Sequence, residues 1–318
     1  MRRRSFIGGL AIGSVLPGLI AAQERRLPRV GILVARNPGP FLRHFLEGLR
    51  AVGYVEGQTI DLVLKSAEGQ LEILPGLAAE LVQSGVAVIV AHQTPTVLAA
   101  MKATQQIPII MAPAGDPLAL GIVTNLSRPG GNVTGVHSAT AESVRKTLQI
   151  AQLMLPSASR VAALLNVTDP FFAPFLAHIQ AATDALKLEL RQVHVEGDRD
   201  LERGFAEFTK ERVEAVIVQP SLSRQRAAEL ALLHRVPAIS PNREFPEAGC
   251  LMSYAASLAD QYSKPAVYVQ KILSGSKPAD LPVEQPTRFE LVINTKTAAA
   301  LGLNIPDAVL AIADELLD

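Results

Sequence analysis

Val30-Gly31-Ile32-Leu33-Val34-Ala35, followed by Phe41, Phe45, Leu46 and Leu49 and stopped at Gly53, decides the fold of this chain. The first six positions are apolar or glycine with no alternation, the pattern of a strand buried on both faces. The next four apolar residues recur at helical spacing. A strand covered on both sides and joined to an amphipathic helix is the repeating unit of a parallel α/β sheet.

The same alternation continues outward. Strands are predicted over 60–67, 86–91 and 107–111, with helices over 71–83 and 95–105 between them. After Pro129-Gly130-Gly131 a strand over 132–136 leads into a helix over 141–155. The cycle then restarts, with strands over 161–166, 188–195, 215–219 and 237–240 and helices over 173–186, 200–212 and 223–234. Past Gly249 the rhythm changes to an extended run over 251–254, a helix over 259–273, a linker with three prolines over 275–288 and a strand over 289–293. Helices over 296–301 and 307–317 close the chain, the latter opened by Pro306, whose missing N–H costs nothing there.

Two successive units of similar make-up, each too small for the whole chain, predict an α/β protein of two Rossmann-like, doubly wound lobes. The first lobe is expected to combine 29–131 with about 255–281, and the second 132–254 with about 282–318. If the lobes are interleaved, the segments past Gly249 cross back and forth between them, giving a multi-stranded hinge.

Residues 1–22 read as a cleaved export signal. Arg2, Arg3 and Arg4 precede Ser5-Phe6-Ile7, a short apolar run diluted by four glycines, and Ala21-Ala22. Two arginines, one further residue and Phe-Ile resemble a twin-arginine signal. The run is shorter than the roughly 20 apolar residues a membrane span needs, and Pro17-Gly18 interrupts it. Cleavage is expected near Ala22, placing the protein in the periplasm. The chain carries 30 Lys+Arg and 30 Asp+Glu; removing the three leader arginines leaves 27 against 30. No basic patch suggests nucleic acid as a partner. Cys250 is the only cysteine, so an intramolecular disulfide is excluded.

Catalytic signatures are missing. Arg36-Asn37-Pro38-Gly39-Pro40 after the first strand is not a dinucleotide fingerprint, and neither a phosphate-binding GxxxxGK[ST] loop nor a GxSxG elbow occurs. The six histidines form no pair at metal spacing. No enzyme activity, cofactor or metal is expected. A hydrolase would need His92 or His137 within reach of a cleft serine or aspartate. Open α/β sheets bind ligands at the carboxyl ends of their strands, and polar residues recur there. Gln93-Thr94-Pro95-Thr96 follows the third strand; with Thr94 as N-cap and Pro95 first in the helix, free N–H groups would form an anion receptor. Gly115-Asp116-Pro117 follows the fourth strand, Asp116 either capping the next helix or pairing with a ligand ammonium. In the second half, Asn166, Thr168, Asp169, Ser221 and Asn242 occupy equivalent exits. The candidate ligand-binding set is Asn37, Thr94, Thr96, Gly115, Asp116, Asn166, Asp169, Asn242 and Tyr254, with an aromatic wall sought among Phe41, Phe171, Phe172 and Tyr254.

Several stretches carry a resemblance: Gly53-Tyr54-Val55-Glu56-Gly57-Gln58, Gly115-Asp116-Pro117, the run from Arg128 to Gly135, Arg243-Glu244-Phe245, Gly249 to Tyr254, Lys277 to Gln285, and Phe289 to Asn294. In order, and over essentially the whole chain after the leader, they resemble ABC-transporter substrate-binding proteins of the tryptophan/tyrosine-uptake type. The resemblance implies a type I periplasmic binding fold, two lobes joined by a three-crossing hinge expected at 132–136, at 251–254 and near 283–289, that closes over a small solute, an amino acid or other small carboxylate, and delivers it as a monomer to an ABC permease at the inner membrane. A ligand-sensing partner of a membrane receptor would use the same fold. The loops 36–40 and 166–169 differ from the commoner family wording, and they shape the pocket.

Overall fold

Two sheets with a shared strand order carry the chain, which a computed structural model describes over residues 27–318. The expected leader lies outside the described residues. Strands β1 (Arg29–Val34), β2 (Asp61–Ser66), β3 (Val88–His92), β4 (Ile109–Ala114) and β5 (Val133–His137) form a parallel sheet in the order β2-β1-β3-β4-β5. Helices α1 (Gly39–Ala51), α2 (Leu74–Gln83) and α3 (Thr94–Ala103) connect the first four strands.

The second sheet repeats this winding with β6 (Arg160–Asn166), β7 (Glu189–Val195), β8 (Ala215–Val218), β9 (Ala238–Ile239) and β10 (Met252–Ala256), running β7-β6-β8-β9-β10. Helices α4 (Thr140–Met154), α5 (Phe172–Leu186), α6 (Leu201–Glu211), α7 (Arg224–His234) and the short α8 (Glu244–Glu247) belong to this half; α8 was not expected. Beyond β10 come α9 (Leu258–Leu273), β11 (Phe289–Asn294), α10 (Thr295–Ala300), α11 (Asp307–Leu310) and β12 (Glu315–Leu317). β11 extends the sheet antiparallel to β10, and β12 lies parallel to β11 at the edge.

Each sheet is coated on both faces, as continuous apolar strands require. In the first lobe, Leu33, Ile89 and Met111 pack under α2 and α3, while Val30, Ile32 and Val34 pack against Phe41 and Phe45 of α1 and Ala266 and Val269 of α9. α1 and α9 touch closely at Gly48, where a Cβ would stand 2.5 Å from the Ser263 carbonyl oxygen. Helix α9 therefore belongs with the first lobe despite its late place in the chain.

Two expected crossings are corrected. The stretch over 132–136 is not a bridge; β5 pairs with β4 from Val133 to Gly135 and again, past an irregularity, at His137, so the chain leaves the first lobe after His137. Its Gly135, at φ 124°, allows an approach to Met111 that a Cβ would block at 2.4 Å from the carbonyl oxygen. The stretch over 251–254 is likewise inside a sheet, and the chain returns after Ala256. The third passage follows Glu284, whose N–H reaches the Gly135 carbonyl at 2.8 Å, and ends at β11.

The expected helix over 307–317 is also corrected. It stops at Leu310, because Asp314 turns the tail into an edge strand: its N–H donates to the Leu291 carbonyl at 2.9 Å, and its carboxylate accepts from the Leu291 N–H at 2.7 Å. Among the described residues no helix is long and apolar enough to cross a membrane.

Candidate functional site

Both windings bring the carboxyl ends of their strands to one gap, and there the lobes touch. Arg36, just after β1, donates through Nη1 to Asp198 of the second lobe and through Nε to the Ser221 carbonyl, each at 2.9 Å. Asp116, after β4, stands 3.3 Å from Nε2 of His178 on α5. The ring of Phe171 lies over Gly115, where a Cβ would be 2.5 Å from Cε2 and Cζ. The lobes are closed on one another.

Between them is a cavity of about 100 Å³. A single water needs roughly 10–15 Å³ of such space, so the closed cavity has room for more than a lone water. The first lobe contributes His92, Gln93, Thr94, Gly115, Gln261 and Tyr262; the second contributes Asp169, Phe171, Gln219, Ser221 and Asn242. Ser138 and Thr140 line it at the hinge, their hydroxyls 2.6 Å apart. No lysine or arginine lines it among the described residues. A wider cleft of about 850 Å³ opens beside it, bordered by Arg36, Glu68, Asn166 and Asp198.

The turn from β3 into α3 differs from expectation. Gln93, at φ 77° and ψ 156°, is the N-cap and makes no side-chain capping bond. That backbone region is almost confined to glycine and costs on the order of 1–3 kcal/mol elsewhere. By turning the chain there, Gln93 starts the helix at Thr94, so Thr94 is helical and not the cap. Its hydroxyl accepts the Gly115 N–H at 3.0 Å, which ties the exits of β3 and β4 together and leaves the hydroxyl proton free for the cavity. The first-turn N–H groups of α3 have no preceding turn to accept them, giving that end of the cavity its positive character.

Asp169 faces this from the second lobe. Oδ1 accepts the Phe171 N–H and Oδ2 accepts Gln219 Nε2, both at 2.9 Å. Gln219 in turn accepts the Asn166 N–H at 2.9 Å, so a fully buried amide fixes the carboxylate. Burial raises the Asp169 pKa from its ordinary value, while the hydrogen bonds from Phe171 and Gln219 and the nearby Ser221 hydroxyl oppose the rise. Burial, aided by the Arg224 charge, lowers the His92 pKa to about 3, so the imidazole is neutral. His92 stacks on Phe41 at 4.7 Å and meets Tyr262 edge-on at 5.2 Å. The hydrolase pairing is not formed: among the described residues neither His92 nor His137 has a ring hydrogen bond to a serine or aspartate side chain, and His137 Nδ1 accepts the Ala139 N–H.

Of the nine residues expected at the site, Thr94, Gly115, Asp169 and Asn242 line the cavity. The other five lie outside its lining. Thr96 is fully buried, its hydroxyl proton shared between the His92 and Gln93 carbonyls. Asp116 caps Ala119 and pairs with His178. Asn37 accepts the Gly39 N–H. Asn166 accepts from the Thr168 N–H and hydroxyl, facing the wider cleft. Tyr254 stacks on Phe289 at 5.6 Å. Of the aromatic candidates Phe171 lines the cavity, Phe41 backs His92, and Phe172 packs on His194. Gln93, Gln219, Gln261 and Tyr262 were not anticipated. Gln93 was legible as a polar strand exit; Gln261, inside a helix, carries no linear signal.

A family model described as ABC transporter substrate binding protein matches residues 41–317. A tyrosine-binding protein of Clostridioides difficile (strain R20291) is 23% identical over 262 residues, 81% of this chain and 75% of that protein. Among solved structures, an ABC domain from Streptococcus pneumonia in complex with L-Trp superposes with a TM-score of 0.84 at 23% identity, over 92% of this chain and 100% of that one. The ligand-free, open structure of a substrate binding protein with adhesive properties from Clostridium difficile gives a TM-score of 0.66 at 20% identity, over 92% and 99%.

Proposed function

Since the chain belongs to the ABC transporter substrate-binding protein family, we propose that it captures a small zwitterion, an amino acid with an apolar or aromatic side chain, and hands it to a permease. One observation carries this reading: the cavity sets the amino end of α3, with the Thr94 hydroxyl, on one lobe and the Asp169 carboxylate on the other. A ligand carboxylate suits the helix end, and a ligand ammonium suits Asp169. Binding both at once joins the lobes, so the ligand selects the closed form. The aromatic surfaces of Phe171, His92 and Tyr262 suit the side chain, and relatives that bind tyrosine and L-Trp support the choice.

Calorimetry with L-tyrosine and L-tryptophan, set against 3-(4-hydroxyphenyl)propionate and indole-3-propionate, tests this directly. The parent should favour the amino acids at least tenfold, one charged hydrogen bond being worth about 1.5–3 kcal/mol. Asp169→Asn should erase that preference. Equal binding of the des-amino acids to the parent would remove Asp169 from this role. The pH dependence has a definite sign. With its pKa raised in the free protein, Asp169 is protonated below that value and cannot hold an ammonium, so amino-acid affinity should fall as pH drops through it. Binding above the ordinary carboxylate pKa but within the raised window should release a proton.

The same proposal includes export to the periplasm by the twin-arginine route, cleavage near Ala22 and work as a monomer. The Arg2-Arg3-Arg4-Ser5-Phe6-Ile7 run supports it. Replacing Arg3 and Arg4 by lysine should leave full-length precursor in the cytoplasm on a fractionation blot. Normal processed protein in the periplasm would exclude this route.

A further inference from the structure

Gln261 lies in the first turn of α9, 5% exposed, and lines the cavity from the first lobe. Its Nε2 donates to the Ala256 carbonyl at 3.0 Å. That bond fixes the amide orientation, because the carbonyl oxygen of Ala256 accepts only from the nitrogen. Oε1 is therefore the free atom, and it is buried with no hydrogen-bond partner. Leaving such an acceptor unsatisfied is costly in a protein interior. On the opposite lobe Ser221 Oγ is in the same condition and lines the same cavity. It sits beside Asp169 and opposes that group's upward shift, without reaching hydrogen-bond geometry.

The two orphaned atoms differ in their surroundings. Ser221 shares its end with a carboxylate. Gln261 stands among Ala255, Ala256, Leu258 and Tyr262, an apolar and aromatic stretch of the lining. An uncharged acceptor in such a wall matches an uncharged donor, not an ammonium, which Asp169 serves better.

We propose that Gln261 is the specificity-determining acceptor of the cavity, its Oε1 taking a hydrogen bond from a neutral O–H or N–H on the ligand side chain. This rests on the amino-acid reading above and narrows it to side chains that carry such a donor. Sites built to bond a ligand O–H or N–H reject analogues lacking it, because the protein group is then left unpaired. Gln261 also joins the ligand's side-chain end to the first lobe, so the donor promotes closure as well as recognition.

Calorimetry with two matched pairs provides the test: L-tyrosine against L-phenylalanine, and L-tryptophan against 3-(benzothiophen-3-yl)-L-alanine, each pair differing by one donor. The parent should prefer the donor-bearing member of at least one pair by tenfold or more. Gln261→Met, of similar length without the amide, should bring that ratio to near one by weakening the donor-bearing member the more; loss of the Nε2 bond to Ala256 acts on both members alike and leaves the ratio untouched. A merely structural role would weaken both members alike. Should Gln261→Met fail to fold, Gln261→Asn withdraws the amide by one methylene and gives the same reading. A parent ratio near one in both pairs overturns the assignment alone, as does a parent-like ratio in the variant. Failure of all four compounds to bind the parent overturns the amino-acid reading and the assignment with it.

Discussion

Replacing Gly115 by alanine should leave each lobe folded and stop the two from closing. The three atoms nearest a Cβ at this position all belong to the Phe171 ring, at 2.5 to 2.8 Å, and Phe171 is on the other lobe. Gly115 is not among the positive-φ residues, so its backbone accommodates alanine. The ring cannot swing aside freely, since the Phe171 N–H is held by Asp169 and the ring packs 6.0 Å from Phe175. The strain is confined to the closed form. Overpacking of this kind costs about 1–3 kcal/mol, which under the proposed function translates to roughly a ten- to hundredfold loss of affinity for the amino-acid ligand. Solution scattering should show the variant staying extended when ligand is added, with its thermal unfolding close to that of the parent. Phe171→Leu in the same background should restore much of the binding. Unaltered affinity and compaction in Gly115→Ala would mean that the lobes do not meet here when ligand is bound.

Acid should destabilise the protein through His92. Its pKa falls from 6.5 to about 3 on folding, because burial excludes the charged ring and Arg224 repels it. The unfolded chain therefore takes up a proton below pH 6.5 that the folded chain refuses until about pH 3. The stability is fully present above the upper value and is lost as pH falls, by up to about 1.4 kcal/mol per pH unit. Asp169 and Glu244, both raised by burial, act in the opposite sense: their contribution is present at low pH and lost as pH rises. Comparison with His92→Phe separates the effects, since phenylalanine keeps the stack on Phe41 and removes only the titration. Urea unfolding over pH 3.5–7.5 should give the parent the steeper decline, on the order of one proton. Parallel curves would show that His92 is not held neutral by its surroundings.

The fold was legible because its strands announce themselves. Val30 to Val34 and Val161 to Leu165 are apolar at consecutive positions, and only a sheet covered on both faces buries them all. The lobe boundaries were less so. Val133 to Val136 reads as a strand in any sheet, and the close approach of Gly135 to Met111, which puts it in the first, is a tertiary fact. The closing segment misled for a related reason. Its helical pattern lost to the pairing of Asp314 with Leu291, a contact between residues 23 apart. At the site, strand exits pointed to the right loops, and four of nine candidates face the cavity. Which side chain of a loop turns inward was set by details invisible in one dimension. The strained Gln93 moved the helix start by one residue and turned Thr96 away. Gln261 came from a helix whose sequence gives no reason to suspect it.

Arg36 bridges the lobes through Asp198 and the Ser221 carbonyl from the border of the wider cleft. It does not line the cavity, so its bonds hold the shut form without calling on whatever fills it. Under the proposed role, that makes Arg36 a source of false messages. Every shut but empty molecule would resemble a loaded one to the proposed permease, and each such encounter would deliver nothing. A stronger bridge would slow the escape of captured solute and raise the number of idle encounters together, so the strength of this one contact sets a compromise between retention and waste.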